Sequence, residues 1–244
     1  DKVMDQGNAG NYDYATQVQY PFGYGISYSN FTWSDFQFTQ PDDKGVMTVK
    51  VKVTNNTATK AKDVVQVYLN APYTELDKTN KIEKSAAALV GFAKTKELAP
   101  TGQAGDSETV EIKLDLSDFT VYDDVVNKTY ILEAGDYLVT AAQDAHEATN
   151  NFLAYNNKTV ADGMTAEGNK AFVGKYTVAT TDTATYKRSA GEKDATNVFG
   201  ADGNGGKSSS FIDRDKYLTR GNWEGSYPVK HGVKSTSESG FSEL

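Results

Sequence analysis

The 244-residue chain contains no cysteine, two histidines, two tryptophans and five prolines. Without a thiol, disulfides, cysteine-based zinc sites and thiol catalysis are excluded. His146 and His231 stand far apart and show no His-x-x-His or His-Glu spacing. They read as exposed polar residues, so no metal site is expected. Long hydrophobic runs are missing too: none approaches the roughly 20 apolar residues of a membrane span. Nor is there an excess of positive charge. Lys and Arg number 25 against 33 Asp and Glu, giving a formal charge of -8 and a pI near 4.9. Nucleic acid and anionic membranes both require a basic face, so neither is an expected partner. Apolar residues make up only 38% and mean hydropathy is -0.57. One packed domain flanked by long, poorly packed segments is expected. No Gly-x-Ser-x-Gly elbow, phosphate loop or other cofactor motif occurs, and no cofactor is expected. The first residues, Asp1-Lys2-Val3-Met4-Asp5, hold neither an initiator Met nor an apolar signal core. The numbering is expected to start inside a longer product, and both a bacterial cytoplasmic and an exported location stay open.

What the chain does have is a dense aromatic run, Tyr20-Pro21-Phe22-Gly23-Tyr24-Gly25-Ile26-Ser27-Tyr28. Beyond it the pattern turns to β. Phe31 and Trp33, then Phe36 and Phe38, alternate with a phase slip at Asp35 that a bulge would produce. Met47, Val49, Val51 and Val53 alternate with Thr48, Lys50, Lys52 and Thr54, the period of a half-buried antiparallel strand. Val65, Val67 and Leu69 form a second inward set, while Val64 and Tyr68 suggest a partly covered outer face. Ser85–Leu98 is ambiguous: Ala86-Ala87-Ala88 favours helix, and Leu89-Val90-Gly91-Phe92 favours strand, the reading adopted. Val110, Ile112, Leu114 and Leu116 alternate cleanly. Phe119–Asp123 and Tyr130–Ala142 complete about seven short strands.

The spacing predicts an all-β fold, an immunoglobulin-like or fibronectin-type antiparallel sandwich over residues 31–143. Residues 1–30 read as an entry linker and joint. Residues 144–244 read as an extended connector, rich in Asp, Asn, Gly, Thr and Ser, including the flexible tract Ala201–Ser210.

Four segments carry a resemblance. The run at 20–28 resembles the lead-in to the fibronectin type III-like domain of family 3 glycoside hydrolases, the β-glucosidase and β-xylosidase family. Val64-Val65-Gln66-Val67-Tyr68, Leu89-Val90-Gly91-Phe92-Ala93-Lys94 and Glu133-Ala134-Gly135-Asp136-Tyr137 resemble that domain's Val-Val-Gln-x-Tyr, Leu-x-Gly-Phe-x-Lys and Glu-x-Gly-x-Tyr motifs, in the same order. Tyr217–Pro228 resembles a segment of members whose domain order is reversed, where it joins the sandwich to the barrel. Gly221-Asn222-Trp223 stands where those members have Ser-Asp-Trp.

The resemblance implies a non-catalytic domain of a retaining β-glycosidase, most simply a β-glucosidase acting on terminal β-linked sugars. Its partners would be the α/β and barrel domains of the same enzyme, with substrate reached through them; homo-oligomerisation stays open. Such enzymes use two carboxyl groups about 5 Å apart, and a barrel needs on the order of 200–250 residues. No barrel fits beside the sandwich, so no catalytic residue is assigned and the chain's own status as an enzyme stays open. Tyr20, Phe22, Tyr24, Tyr28, Trp223 and Tyr227 are expected to contact other domains. Tyr73 and Asp77, in the long excursion before Lys84, are candidates for a loop bordering the sugar. The alternative is a stand-alone carbohydrate-binding or adhesion module.

Overall fold

The computed structural model describes residues 20–80, 82, 84–123, 125–162, 166–187 and 193. Its strands follow the alternation of the sequence: β1 (Phe31–Thr39), β2 (Val46–Asn55), β3 (Val64–Asn70), β4 (Ala88–Lys94), β5 (Ser107–Asp115), β6 (Val121–Asp123), β7 (Thr129–Ile131), β8 (Gly135–Ala142) and β9 (Val173–Val178). Helix α1 (Glu75–Asn80) interrupts the β3–β4 connection, and α2 (Ala145–Tyr155) follows β8. One sheet has the order β1-β2-β5 and the other β4-β3-β8-β9; β6 and β7 form a small ribbon. All named pairings are antiparallel. The fold is an all-β fibronectin type III-like sandwich.

The inward sets close the core. Met47, Val49, Val51 and Val53 are fully buried against Val65, Val67, Ile112, Leu114 and Val139. Each such side chain contributes about 1.5–3 kcal/mol of burial, which compensates for the absence of disulfides. The register of β1 on β2 shifts between Ser34 and Gln37, and Asp35 has φ 53°, so the phase slip is a bulge. The ambiguous segment is strand: Gly91 of β4 lies over β5, where an added Cβ would meet Leu114 and Ile112 at 2.8 and 2.9 Å. Only a residue without a side chain lets these two sheet edges approach.

The last strand lies past Gln143, in the stretch read from sequence as connector. Strand β9 pairs with β8 from Gly135↔Val178 to Thr140↔Val173, and Val178 joins the core. Helix α2 lays Ala148 and Phe152 on the outer face of the same sheet, against Tyr68, Leu138 and Ala142. Asp144 caps it, accepting from the amides of His146 and Glu147 at 2.9 Å each. The pattern missed β9 because an edge strand buries little: of its six residues only Val178 is fully enclosed. It missed α2 because the helix buries Asn150 and Asn151 beside its apolar residues.

Candidate functional site

Three of the four family-like motifs meet at one place. Pro21 to Tyr24 forms a turn closed by the Tyr24 amide donating to the Pro21 carbonyl at 3.1 Å. Gly23 occupies its third position at φ 84°, a conformation that glycine adopts without strain. The Gln66 side-chain amide donates to the Gly23 carbonyl at 2.9 Å and to the Gln143 carbonyl at 2.5 Å. The Tyr68 hydroxyl donates to Gln66 Oε1 at 2.8 Å. Burial, with the nearby charges of Asp144 and Glu147, pushes the Tyr68 hydroxyl up to about 12, so it remains a donor. A Cβ at Gly23 would collide with the Tyr68 hydroxyl and Gln66 Oε1. The Phe22 carbonyl accepts from the Ala145 amide at 2.9 Å, tying the turn to the start of α2.

The backbone of this segment is therefore held down while its side chains face outward. Phe22 is 64% exposed, Ile26 81%, and Tyr20, Tyr24 and Tyr28 are exposed as well. Tyr20 and Tyr24 stack with centroids 5.2 Å apart and planes tilted by 43°. Tyr24, Ile26 and Phe31 form one wall of a groove of about 650 Å³, with Val64, Gln66, Lys62 and Lys94 on the other.

Tyr73 and Asp77 lie elsewhere, in the β3–β4 connection. Asp77, a candidate for the loop bordering the sugar, does not face solvent: it is fully buried. Its Oδ2 accepts from the Thr74 amide at 2.7 Å and from Lys84 Nζ at 2.8 Å. Lys84 Nζ also donates to the Pro72 carbonyl at 2.9 Å and to Glu133 Oε2. Glu133 Oε1 accepts from the Thr74 hydroxyl at 2.7 Å. The Tyr73 hydroxyl oxygen is likewise buried. Two carboxylates thus share one ammonium, but the cluster is closed to substrate. What it does is staple the excursion to the turn before β8. There Gly135 has φ 144°, and a Cβ on it would meet Pro72 at 2.7 Å. The Tyr137 hydroxyl donates to the Glu133 carbonyl at 3.1 Å. The Glu-x-Gly-x-Tyr motif is the receiving side of this staple.

Trp223, Tyr227, His231 and the Ala201–Ser210 tract lie outside the described residues. Sequence reasoning missed Gln66, Tyr68, Lys84 and Glu133 as fasteners. The signal for Gln66 was available: a polar residue on the outer face of a strand whose neighbour Tyr68 was already expected to be covered.

The family model for the fibronectin type III-like domain matches residues 63–145. A β-glucosidase of Ruminococcus albus is 38% identical over 140 residues, covering 56% of this chain and 13% of that protein. β-Glucosidase A of Butyrivibrio fibrisolvens is 35% identical over 137 residues, covering 50% of this chain and 15% of that one. Among solved structures, β-glucosidase 3B from Thermotoga neapolitana aligns with 70% of this chain and 19% of its own, at 24% identity and a TM-score of 0.48. The chain thus spans under a fifth of the length of these relatives. Residues 63–145 thus match a fibronectin type III-like domain, and about half of the chain is similar to a part of these β-glucosidases.

Proposed function

We propose that this chain is the non-catalytic brace of a retaining β-glycosidase, a β-glucosidase acting on terminal β-linked sugars. In this reading it holds the α/β and barrel domains so that nucleophile and acid/base meet across the glycosidic bond. The two carboxyl groups must stand about 5 Å apart, and a displacement of about 1 Å can cost about 10²-fold in rate. A domain without chemistry of its own can therefore govern turnover.

The observation that carries the reading is the entry segment. Its backbone is fastened by Gln66, Tyr68 and Ala145, yet its aromatics point into solvent. Fixing a segment costs about 1–2 kcal/mol per residue in backbone entropy, and this one recovers little of it by burial within the chain. A neighbouring domain that covers Tyr20, Phe22, Tyr24 and Tyr28 supplies the missing burial. Trp223 and Tyr227 would anchor the chain to the barrel in the same way. The same reading makes the entry segment a joint and residues beyond β9 a connector. A carbohydrate-binding module is less well supported, because a sugar platform requires a flat aromatic surface and Tyr20 and Tyr24 are tilted by 43°.

The test is an assay with an aryl β-glucoside of this chain alone and of the longer polypeptide read from its gene. The chain alone should be inert and the longer polypeptide active. Hydrolysis by the chain alone, or a longer polypeptide without glycosidase activity, would overturn the proposal.

A further inference from the structure

Among the described residues outside the entry segment, the most exposed large hydrophobic side chain is Phe92, 69% exposed in β4. It is the cross-strand partner of Gln66, the residue that fastens Gly23. Directly opposite residues on an antiparallel pair share one face. Phe92 therefore stands on the outer sheet face beside the fastened turn. Val64 and Leu89, both 36% exposed, flank it through the pairings Val64↔Lys94 and Tyr68↔Leu89. Helix α2 covers the β8 side of this face, and the β4 side is left open.

In the groove between the entry segment and this open side, the carboxylates are already engaged. Asp63 is engaged by the Trp33 indole at 2.6 Å and the Val64 amide at 2.9 Å. Asp144 is engaged by the first amides of α2. Lys62 and Lys94 line the same groove, and neither side-chain ammonium has a hydrogen-bond or ion-pair partner among the described residues. Of the charged groups in the groove, the two ammoniums are therefore the ones left without a counter-charge, beside apolar surface.

We infer that Phe92, Val64 and Leu89, with Lys62 and Lys94, form a second docking surface for a segment that belongs to the rest of the polypeptide, carrying apolar side chains and at least one carboxylate. The inference rests on the bracing role proposed above and extends it: the neighbour reaches past the joint onto the β3–β4 face. Three observations select this occupant. The groove runs directly into the exposed joint. Its spare donors match an acidic group. The relatives are several times longer than this chain, so sequence to cover the face is at hand.

The test compares Phe92→Ser, the double variant Lys62→Glu/Lys94→Glu and Tyr24→Ser in the longer polypeptide. Phe92→Ser and the charge reversal should each lower its unfolding temperature by about 2 °C or more, the latter less so in high salt. Phe92→Ser in this chain alone should lower its unfolding temperature by less than in the longer polypeptide, since the side chain is already 69% exposed there. If Tyr24→Ser destabilises the longer polypeptide and the other two variants do not, the joint stands and the second surface is refuted. If none of the three does, both readings fail. Sedimentation of the longer polypeptide covers the remaining occupant: self-association abolished by Phe92→Ser would assign the face to a second copy and overturn the inference.

Discussion

The Gln66 side-chain amide and the Gly23 carbonyl, 43 residues apart in sequence, are 2.9 Å apart in space. This bond joins the aromatic run to the Val64–Tyr68 motif of β3 and fixes the direction in which the aromatics point. Replacing Gln66 by Leu removes the donors to Gly23 and Gln143 and leaves the Tyr68 hydroxyl only the Phe22 carbonyl at 3.5 Å as acceptor. A loss of about 1–3 kcal/mol is expected, read as a lower denaturant midpoint with an unchanged slope. Faster amide exchange at Tyr24 should accompany it.

Lys84 serves Asp77 and Glu133 in a buried cluster, with side-chain exposures of 7%, 0% and 3%. Lys84→Met leaves both carboxylates without the ammonium that joins them. The cost should be about 3–5 kcal/mol. Adding Asp77→Asn and Glu133→Gln to Lys84→Met should restore part of that loss, which a mutant cycle on unfolding free energies would show.

Asp123 anchors the β6–β7 turn. Its carboxylate is buried, which by itself raises its pKa, but amide donors from Asn127, Val126 and Val125 outweigh this and hold it below the usual carboxylate range. With the folded value below the unfolded one of about 3.9, its contribution is complete above that pH and is lost as pH falls through the folded value. Asp123→Asn should therefore lower stability at neutral pH by about 1.5–3 kcal/mol and flatten the acid limb of the stability curve. An acid limb identical to that of the parent chain would contradict this.

Gly91 is the point where β4 crosses β5. Gly91→Ala must displace Leu114 and Ile112, and overpacking of this kind costs about 1–3 kcal/mol. Thermal unfolding of the variant checks it.

The elements that sequence made legible are those whose burial is periodic and complete. The inward sets of β2 and β5 could be read from alternation alone, and even the bulge at Asp35 left a phase slip. Strand β9 was hidden because an edge strand with one enclosed residue carries almost no period. The fasteners were hidden for a different reason. Gln66 and Gly23, or Lys84 and Glu133 at a separation of 49 residues, are polar residues in polar surroundings until the fold brings them together. Asp77 shows the same limit from the other side: an acidic residue in a long, charged excursion reads as exposed, and only its pairing with Lys84 takes it inside. The exposed aromatics at 20–28 were legible as unusual, and what fastens their backbone was not.

The most direct measurement is the triple substitution of Phe22, Tyr24 and Tyr28 by Ser, made both in this chain and in the longer polypeptide. In this chain the three side chains face solvent, so the unfolding free energy should stay within about 0.5 kcal/mol per substitution. If the chain braces a β-glucosidase as proposed, unfolding temperature and β-glucosidase turnover of the longer polypeptide should both fall, because a loosened joint would no longer hold the reacting carboxylates in register. A longer polypeptide that keeps its full stability and turnover with all three serines in place would contradict the bracing role.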